Sequence, residues 1–151
     1  MKRTFLTGMI LAIAVTAAFA DGKTLVNLDK QGIALQGYDA VGFFTEKRPV
    51  KGDPNFQSTY KGARYYFASE ANKQVFDANP AKYEPQFGGF CAYGVSRGYT
   101  VPIKIEAFQI LNDRLLMQYD FGAQKEFNKD PQSNLRKADE NWPKLVEKQG
   151  R

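Results

Sequence analysis

The chain is poor in the residues that most often carry chemistry. Its 151 residues include no histidine and a single cysteine, Cys91. Histidine is the commonest metal ligand and the side chain that most readily moves protons near neutral pH, so its absence removes both roles. Neither a Ser–His nor a Cys–His catalytic pair can form. We therefore predict no catalytic residues and regard an enzyme as the less favoured class.

Ligands for soft metals are equally scarce. Beyond residue 20 the only sulfur-bearing side chains are Cys91 and Met117, which are 26 positions apart. Copper and zinc sites in proteins are built from thiolate, imidazole or thioether groups. The carboxylates of Asp39, Asp53 and Glu84 are scattered, and no calcium-loop pattern occurs. We predict no metal site within one chain, and the sequence identifies no cofactor.

The N-terminal 20 residues have the pattern of a secretory signal peptide. Lys2 and Arg3 precede an apolar run, and Ala18-Phe19-Ala20 supplies a small-x-small cleavage site before Asp21. The run is too short to predict a membrane span. We expect cleavage between Ala20 and Asp21, a periplasmic or secreted protein that does not span a membrane, and one domain over residues 21–151.

Charge and aromatic content limit the classes of molecule that the protein is expected to bind. Residues 21–151 carry 19 basic and 16 acidic side chains, intermixed along the chain, so no basic stripe for nucleic acid is present. The same residues include 19 aromatic side chains. Rings at this density fill a core and any pocket within it. The expected partner is an unidentified small molecule or protein, and a homodimer is left open.

The first half of the domain predicts a hairpin followed by a helix. Phe56–Tyr60 and Ala63–Phe67 flank Lys61-Gly62, where glycine allows the positive φ of a tight turn. Ser69 predicts the start of a helix that ends at Asn79-Pro80, with Asn79 in a left-handed cap. Ala71, Val75 and Phe76 are expected on its apolar face. Upstream, the segment Gly37–Phe44 is expected to be a strand.

The second half predicts another hairpin and a terminal helix. Phe108–Leu111 and Leu115–Tyr119 flank the turn residues Asn112-Asp113. Asp130-Pro131 predicts a helix start and Pro143 its end. The resulting class is α+β: a small antiparallel sheet of hairpins with helices packed on one side.

Several segments resemble the YHS domain family and, over nearly the whole of residues 21–151, its exported branch. The matching pieces are Gly37-Tyr38-Asp39, Phe67-Ala68-Ser69, Pro80-Ala81-Lys82-Tyr83, Gly88-Gly89-Phe90-Cys91-Ala92 and Ala138-Asp139-Glu140-Asn141-Trp142-Pro143. The resemblance implies a compact unit of β-hairpin and helix, often attached to metal-handling or oxygenase systems. Metal-binding relatives resemble F-C-S-x-x-C-x-x-x-F, and their two thiols correspond to Ala68 and Asn72 here.

Cys91 is the strongest candidate for a ligand-binding or reactive residue. It follows Gly88-Gly89, and a thiol in the first turn of a helix beginning near Phe90 would have a lowered pKa. The alternative is a thiol that simply packs in the core, which we favour. A ligand site, if present, is predicted near Cys91, with Tyr93, Tyr38 and Asp39 as neighbours; Asp39 could instead cap a turn.

These observations favour an exported soluble binding or accessory module of YHS type with an unassigned ligand. Two alternatives remain. One is a copper- or zinc-handling protein that acts as a dimer. The other is a thiol-dependent redox enzyme that uses Cys91.

Overall fold

The structure is a computed structural model that describes residues 22–151. The predicted signal peptide, residues 1–20, lies outside this range. Within the described part no helix has the length and apolar character needed to cross a bilayer. The elements in chain order are α1 (Ala40–Thr45), β1 (Asp53–Tyr60), β2 (Ala63–Phe67), α2 (Glu70–Ala78), α3 (Pro80–Tyr83), α4 (Ala92–Ser96), β3 (Lys104–Leu111), β4 (Arg114–Gln118), α5 (Phe121–Phe127) and α6 (Pro131–Gln149), with short 3-10 turns at Leu35–Gly37 and Gln86–Gly89.

The α+β class is confirmed, and the two predicted hairpins are present. Strands β1 and β2 pair antiparallel, as do β3 and β4, and each pair forms a two-stranded sheet of its own. Both turns adopt positive φ at their two central residues, Lys61-Gly62 and Asn112-Asp113. This conformation matches the right-handed twist of the flanking strands, which explains why these dipeptides specify hairpins.

The predicted strand Gly37–Phe44 is wrong. Residues 40–45 form helix α1 instead, because the Asp39 carboxylate accepts hydrogen bonds from the backbone N–H groups of Val41 and Gly42 and so caps a helix start. The aromatic pair Phe43-Phe44 then packs as part of a helix. Phe43 is fully buried, with its ring 4.8 Å from that of Phe108 on β3.

Helix α2 begins as predicted, with the Ser69 hydroxyl accepting from the N–H of Asn72. Its predicted face is only partly correct. Phe76 is buried with its ring 4.9 Å from that of Tyr65, whereas Val75 is 41% exposed. The left-handed cap at Asn79 is wrong, since its φ is −152° and Pro80 starts the short helix α3 directly.

The C-terminal helix begins as predicted at Asp130-Pro131 but does not end at Pro143. Proline lacks one N–H donor, yet α6 continues to Gln149, and Leu145 beyond the proline is buried in the core. Packing beyond Pro143 thus outweighs the lost hydrogen bond. Helix α5, capped by Asp120, was not predicted from the sequence.

Strand β4 lies between two core clusters. Leu115 and Met117 face the first cluster with Phe43, and Leu116 faces the second with Phe127. This alternation follows from the two-residue period of a strand. It places Gln118 on the face of Leu116, toward α4, and this position decides the surroundings of Cys91.

Candidate functional site

Asp39 is the most highly connected polar side chain of the first half of the domain. It is fully buried. Its Oδ1 accepts from the N–H of Val41 at 2.9 Å and of Gly42 at 3.3 Å. Its Oδ2 accepts from the N–H of Ala68 at 2.8 Å and from the side-chain amide of Asn72 at 2.7 Å. We call Asp39, Ala68 and Asn72 the Asp39 cluster; it fixes the start of α1 against the end of β2 and the first turn of α2.

The Asp39 cluster contains positions 68 and 72, the two at which the resemblance noted in the sequence implies thiols in metal-binding proteins. Here position 68 offers only a methyl group and a backbone N–H, and position 72 offers an amide that already donates to Asp39. The one carboxylate present has four donors around it. A soft metal needs thiolate, imidazole or thioether ligands. The residues at this place therefore do not fit a copper or zinc ion.

Elsewhere in residues 22–151, no three His, Cys, Asp or Glu side chains gather into a group that could hold a metal ion. The two sulfur-bearing residues are neighbours along the backbone, because Cys91 forms a parallel β-bridge with Met117. Their side chains nevertheless belong to different surroundings. Met117 packs into the first core cluster, and the side chain that reaches the thiol is that of Gln118.

Cys91 occupies the N-cap position of α4 and is 1% exposed. Its Sγ accepts from the N–H of Gly94 at 3.4 Å and donates to Oε1 of Gln118 at 3.4 Å. Burial raises the pKa of the thiol, and the neighbouring backbone N–H groups offset this only in part. The expectation of a lowered pKa is therefore wrong. The sulfur lies at the start of a helix, as expected. The increase in pKa that desolvation causes is nevertheless larger than the decrease that a helix of only five residues supplies.

Gln118 holds the segment around Cys91 in place. Its side chain is fully buried, and its Oε1 also accepts from the N–H of Tyr93 at 3.1 Å. Its Nε2 has no hydrogen-bond partner among the described residues. Nothing local in the sequence identifies this residue, because its partners lie 25 and 27 positions away.

A pocket of about 250 Å³ opens beside the thiol. We call it the Cys91 pocket; it is lined by Cys91, Tyr93, Tyr99, Val101, Tyr119 and Ala123. Tyr99 and Tyr119 are 49% and 53% exposed and form its rim. Rings with apolar faces and polar ends at the mouth of a pocket suit a small apolar or aromatic molecule.

The structure places the four predicted ligand-binding residues in two locations. Cys91 and Tyr93 line the Cys91 pocket. Asp39 belongs to the Asp39 cluster, in the capping role that was the alternative interpretation. Tyr38 pairs with Lys51 in a β-bridge, and Lys51 Nζ lies 5.8 Å from the centre of its ring. Their roles in ligand binding remain predictions, and Tyr99 and Tyr119 were not among the predicted residues.

The segment Gly94-Val95-Ser96-Arg97-Gly98 has the G-x-S-x-G pattern of serine hydrolases. Its structural context differs from theirs. A nucleophilic serine stands exposed on a strand-to-helix turn, whereas Ser96 ends α4, is 5% exposed and donates to the carbonyl of Tyr93 at 2.6 Å. With no histidine to act as base, this serine is structural.

Comparison with known protein families identifies one part of the chain. A YHS domain is present at residues 41–86. This match covers α1, the first hairpin, α2 and α3, and with them positions 68 and 72, and ends before Cys91. No curated protein and no solved structure gave a significant match. The chain thus contains a domain type that is associated in general with metal handling.

Proposed function

We propose that this protein is an exported binding or accessory module of YHS type that holds no soft metal within one chain and takes a small apolar or aromatic ligand in the Cys91 pocket. The observation that carries the proposal is the pairing of the Asp39 carboxylate with the backbone N–H of Ala68 and the amide of Asn72. It makes the two positions at which the resemblance implies metal-binding thiols part of a hydrogen-bonded structural element.

The buried sulfur atoms weaken both alternatives. A dimer that shares a copper or zinc ion would need soft ligands at its surface, but Cys91 is 1% exposed and Met117 is fully buried. A thiol-dependent enzyme needs an accessible thiolate. Burial instead raises the pKa of Cys91, so the neutral thiol predominates near neutral pH.

Export is proposed from residues 1–20, whose charged start, apolar run and Ala18-Phe19-Ala20 ending are those of a cleaved signal peptide. N-terminal sequencing of the protein isolated from its host should give Asp21 as the first residue. An intact Met1 in the mature protein would contradict export by cleavage.

The metal part is tested by titrating the processed chain with zinc and with copper(I) under a competing chelator, read by native mass spectrometry. We expect no stoichiometric complex with the lone subunit. A metal ion retained at one per chain in competition with the chelator would overturn the proposal.

The ligand part is tested with indole as a probe of the Cys91 pocket. Ala123 lies on the pocket wall on α5, so Ala123→Leu should fill the space and abolish indole-induced shifts of the Tyr93 and Gly94 amide signals. Ala81→Leu on the exposed side of α3 is the matched control and should leave them unchanged. Indole shifts that survive Ala123→Leu would place its binding elsewhere.

A further inference from the structure

A second cavity lies on the side of the domain where the N-terminal segment crosses the second half of the fold. We call it the polar cleft; its volume is about 270 Å³. It lies between residues 23–26, the turn at residues 84–88 and helix α6. At about 30 Å³ for each water, this space equals that of roughly nine water molecules, or one small organic molecule.

The N-terminal wall of the polar cleft is fixed by backbone hydrogen bonds. The N–H of Asn27 donates to the carbonyl of Gly88 at 2.8 Å. Thr24 and Arg151 exchange two backbone bonds of 2.9 and 3.0 Å. The cleft is therefore formed in advance, and a ligand need not order the wall on binding.

Tyr65 supplies an unused hydroxyl to this cleft. Its side chain lines the cleft, although the residue as a whole is 2% exposed and its ring packs against Phe76. Among residues 22–151 no hydrogen bond to the hydroxyl is formed. Burial, with a smaller effect of the nearby Glu84 carboxylate, raises the pKa of Tyr65, so the group remains a neutral O–H donor. The hydroxyl is not one of the enclosed atoms that lack a partner, so it has solvent access and can donate to a ligand in place of water.

The charged groups of the polar cleft are already paired within the protein. Lys61 Nζ lies 2.9 and 3.2 Å from the two carboxylate oxygens of Glu84. Arg114 holds both oxygens of Asp139 at 2.6 and 3.0 Å and donates through Nε to Gln86 at 2.8 Å. These side chains are partly exposed, and each charge already has its opposite charge beside it, so a charge on the ligand gains little here.

The same pairs leave hydrogen-bonding capacity for a neutral ligand. Each carboxylate has about four lone-pair positions and a guanidinium five N–H donors. The contacts above use two positions on each carboxylate and three of the Arg114 donors. Trp142 adds an aromatic ring to the wall, beside Phe87 at 6.0 Å between ring centres.

We propose that the polar cleft binds a small neutral molecule rich in hydroxyl groups, the size of a monosaccharide, which accepts a hydrogen bond from the Tyr65 hydroxyl and packs against Trp142. This site lies apart from the Cys91 pocket and does not depend on the function proposed above. Its lining residues range from Lys23 to Val146 in the sequence, and Tyr65 is the residue whose substitution tests the site.

The test uses three neutral probes, glucose, ribose and myo-inositol, and two charged counterparts, glucuronate and glucosamine, each titrated into the processed protein and followed by amide and indole NMR signals. We expect at least one neutral probe to shift the signals of Tyr65, Gly88 and the Trp142 indole, and the charged counterparts to bind more weakly. Tyr65→Phe should weaken that binding about fivefold, the effect of one lost neutral hydrogen bond. Tyr83→Phe, which lies outside the cleft, should not change it.

Thermal unfolding separates a binding role from a structural one. The Tyr65 hydroxyl has no partner within the described chain, so Tyr65→Phe should unfold at the same temperature as the parent protein or higher. Three results would each overturn the proposal: none of the neutral probes shifts the cleft signals, the charged probes bind as well, or Tyr65→Phe binds as tightly as the parent. The Cys91 pocket variants test the other site separately, since Ala123 does not line the polar cleft.

Discussion

The side-chain amide of Asn72 donates a 2.7 Å hydrogen bond to Oδ2 of Asp39, across 33 positions of sequence. The bond joins the first turn of α2 to the residue that caps α1. The resemblance implies a metal-binding thiol at position 72; here an amide occupies that position, and its bond to Asp39 links α2 to α1 without a metal. Changes at Asp39 are therefore expected to alter stability, and changes at Asn72 to alter metal affinity.

Asp39→Asn should destabilise the protein strongly. The new amide would place donor hydrogens against the N–H groups that now donate to Oδ1 or Oδ2. Leaving buried donors without acceptors is expected to lower the free energy of unfolding by roughly 2–4 kcal/mol, measured by urea denaturation.

The matched control is Asp113→Asn. Asp113 is exposed in the turn between β3 and β4 at a φ of 59°, which asparagine also tolerates. Its effect should stay within about 0.5 kcal/mol. Equal losses for the two variants would mean that the Asp39 cluster does not stabilise the fold.

Replacing Ala68 and Asn72 together by cysteine should create a soft-metal site. The backbone N–H of Ala68 and the side chain of Asn72 both donate to the Asp39 carboxylate, and the two positions are four residues apart at the start of α2, so the variant would bring two thiols close to one carboxylate. We expect one zinc ion per chain in a competitive titration, whereas the parent protein retains none.

The control for the cysteine pair is Ala71→Cys with Val75→Cys. It places two thiols one helical turn apart on the exposed side of α2, away from Asp39. If this variant binds zinc as tightly as the Ala68/Asn72 variant, the Asp39 carboxylate contributes nothing. A folded Ala68/Asn72 variant that binds no zinc would contradict the correspondence with the metal-binding relatives.

The features that could be predicted from the sequence are those decided by a few adjacent residues. Both hairpins follow from turn dipeptides that accept positive φ, and two helix starts follow from Ser69 and Asp130. The sequence predicts a strand where α1 lies, because a short apolar run is compatible with either structure. The sequence offers Asp39 as a turn cap but does not show that the capped segment is a helix.

The site depends on relations that a single sequence does not reveal. Gln118 reaches Cys91 because β4 alternates faces and passes beside α4, and the Tyr65 hydroxyl opens into a cleft whose other walls come from both ends of the described chain. The same reason explains α6. The burial of Leu145 beyond Pro143 offsets the hydrogen bond lost at the proline, so the helix continues to Gln149. Tertiary packing decided each of these cases.

Cys91 should react slowly while the protein is folded. It is 1% exposed and burial raises its pKa. Iodoacetamide near pH 8 should label it at least about tenfold more slowly than in the urea-unfolded chain. Equal rates in the two states would show an accessible thiolate and would support the alternative of a thiol-dependent redox enzyme.

The raised pKa of Cys91 also predicts a pH dependence of stability. Between the unfolded and folded pKa values the folded protein binds more protons, so the contribution of the thiol is complete below the unfolded value and is lost as pH rises toward the folded one. The parent protein should therefore lose stability relative to Cys91→Ala above about pH 8.5. Tyr65 is common to both proteins and cancels. A difference that stays constant from roughly pH 7 to 10 would contradict the assignment.

Gly88→Ala should release the N-terminal segment from the fold. Gly88 has a φ of +60°, and an added Cβ would collide with the carbonyl of Leu25. Gly62→Ala is the matched control, because its φ is +76° but nothing lies within 4 Å of the added carbon. The control should lose about 1 kcal/mol of unfolding free energy for its backbone conformation alone, and Gly88→Ala at least about 1 kcal/mol more.

Hydrogen exchange of the Asn27 amide, which donates to the Gly88 carbonyl, should accelerate in Gly88→Ala only. Equal losses of stability with unchanged exchange at Asn27 would mean that the crossing of Leu25 over Gly88 does not hold the segment, and the wall of the polar cleft would then lack its anchor.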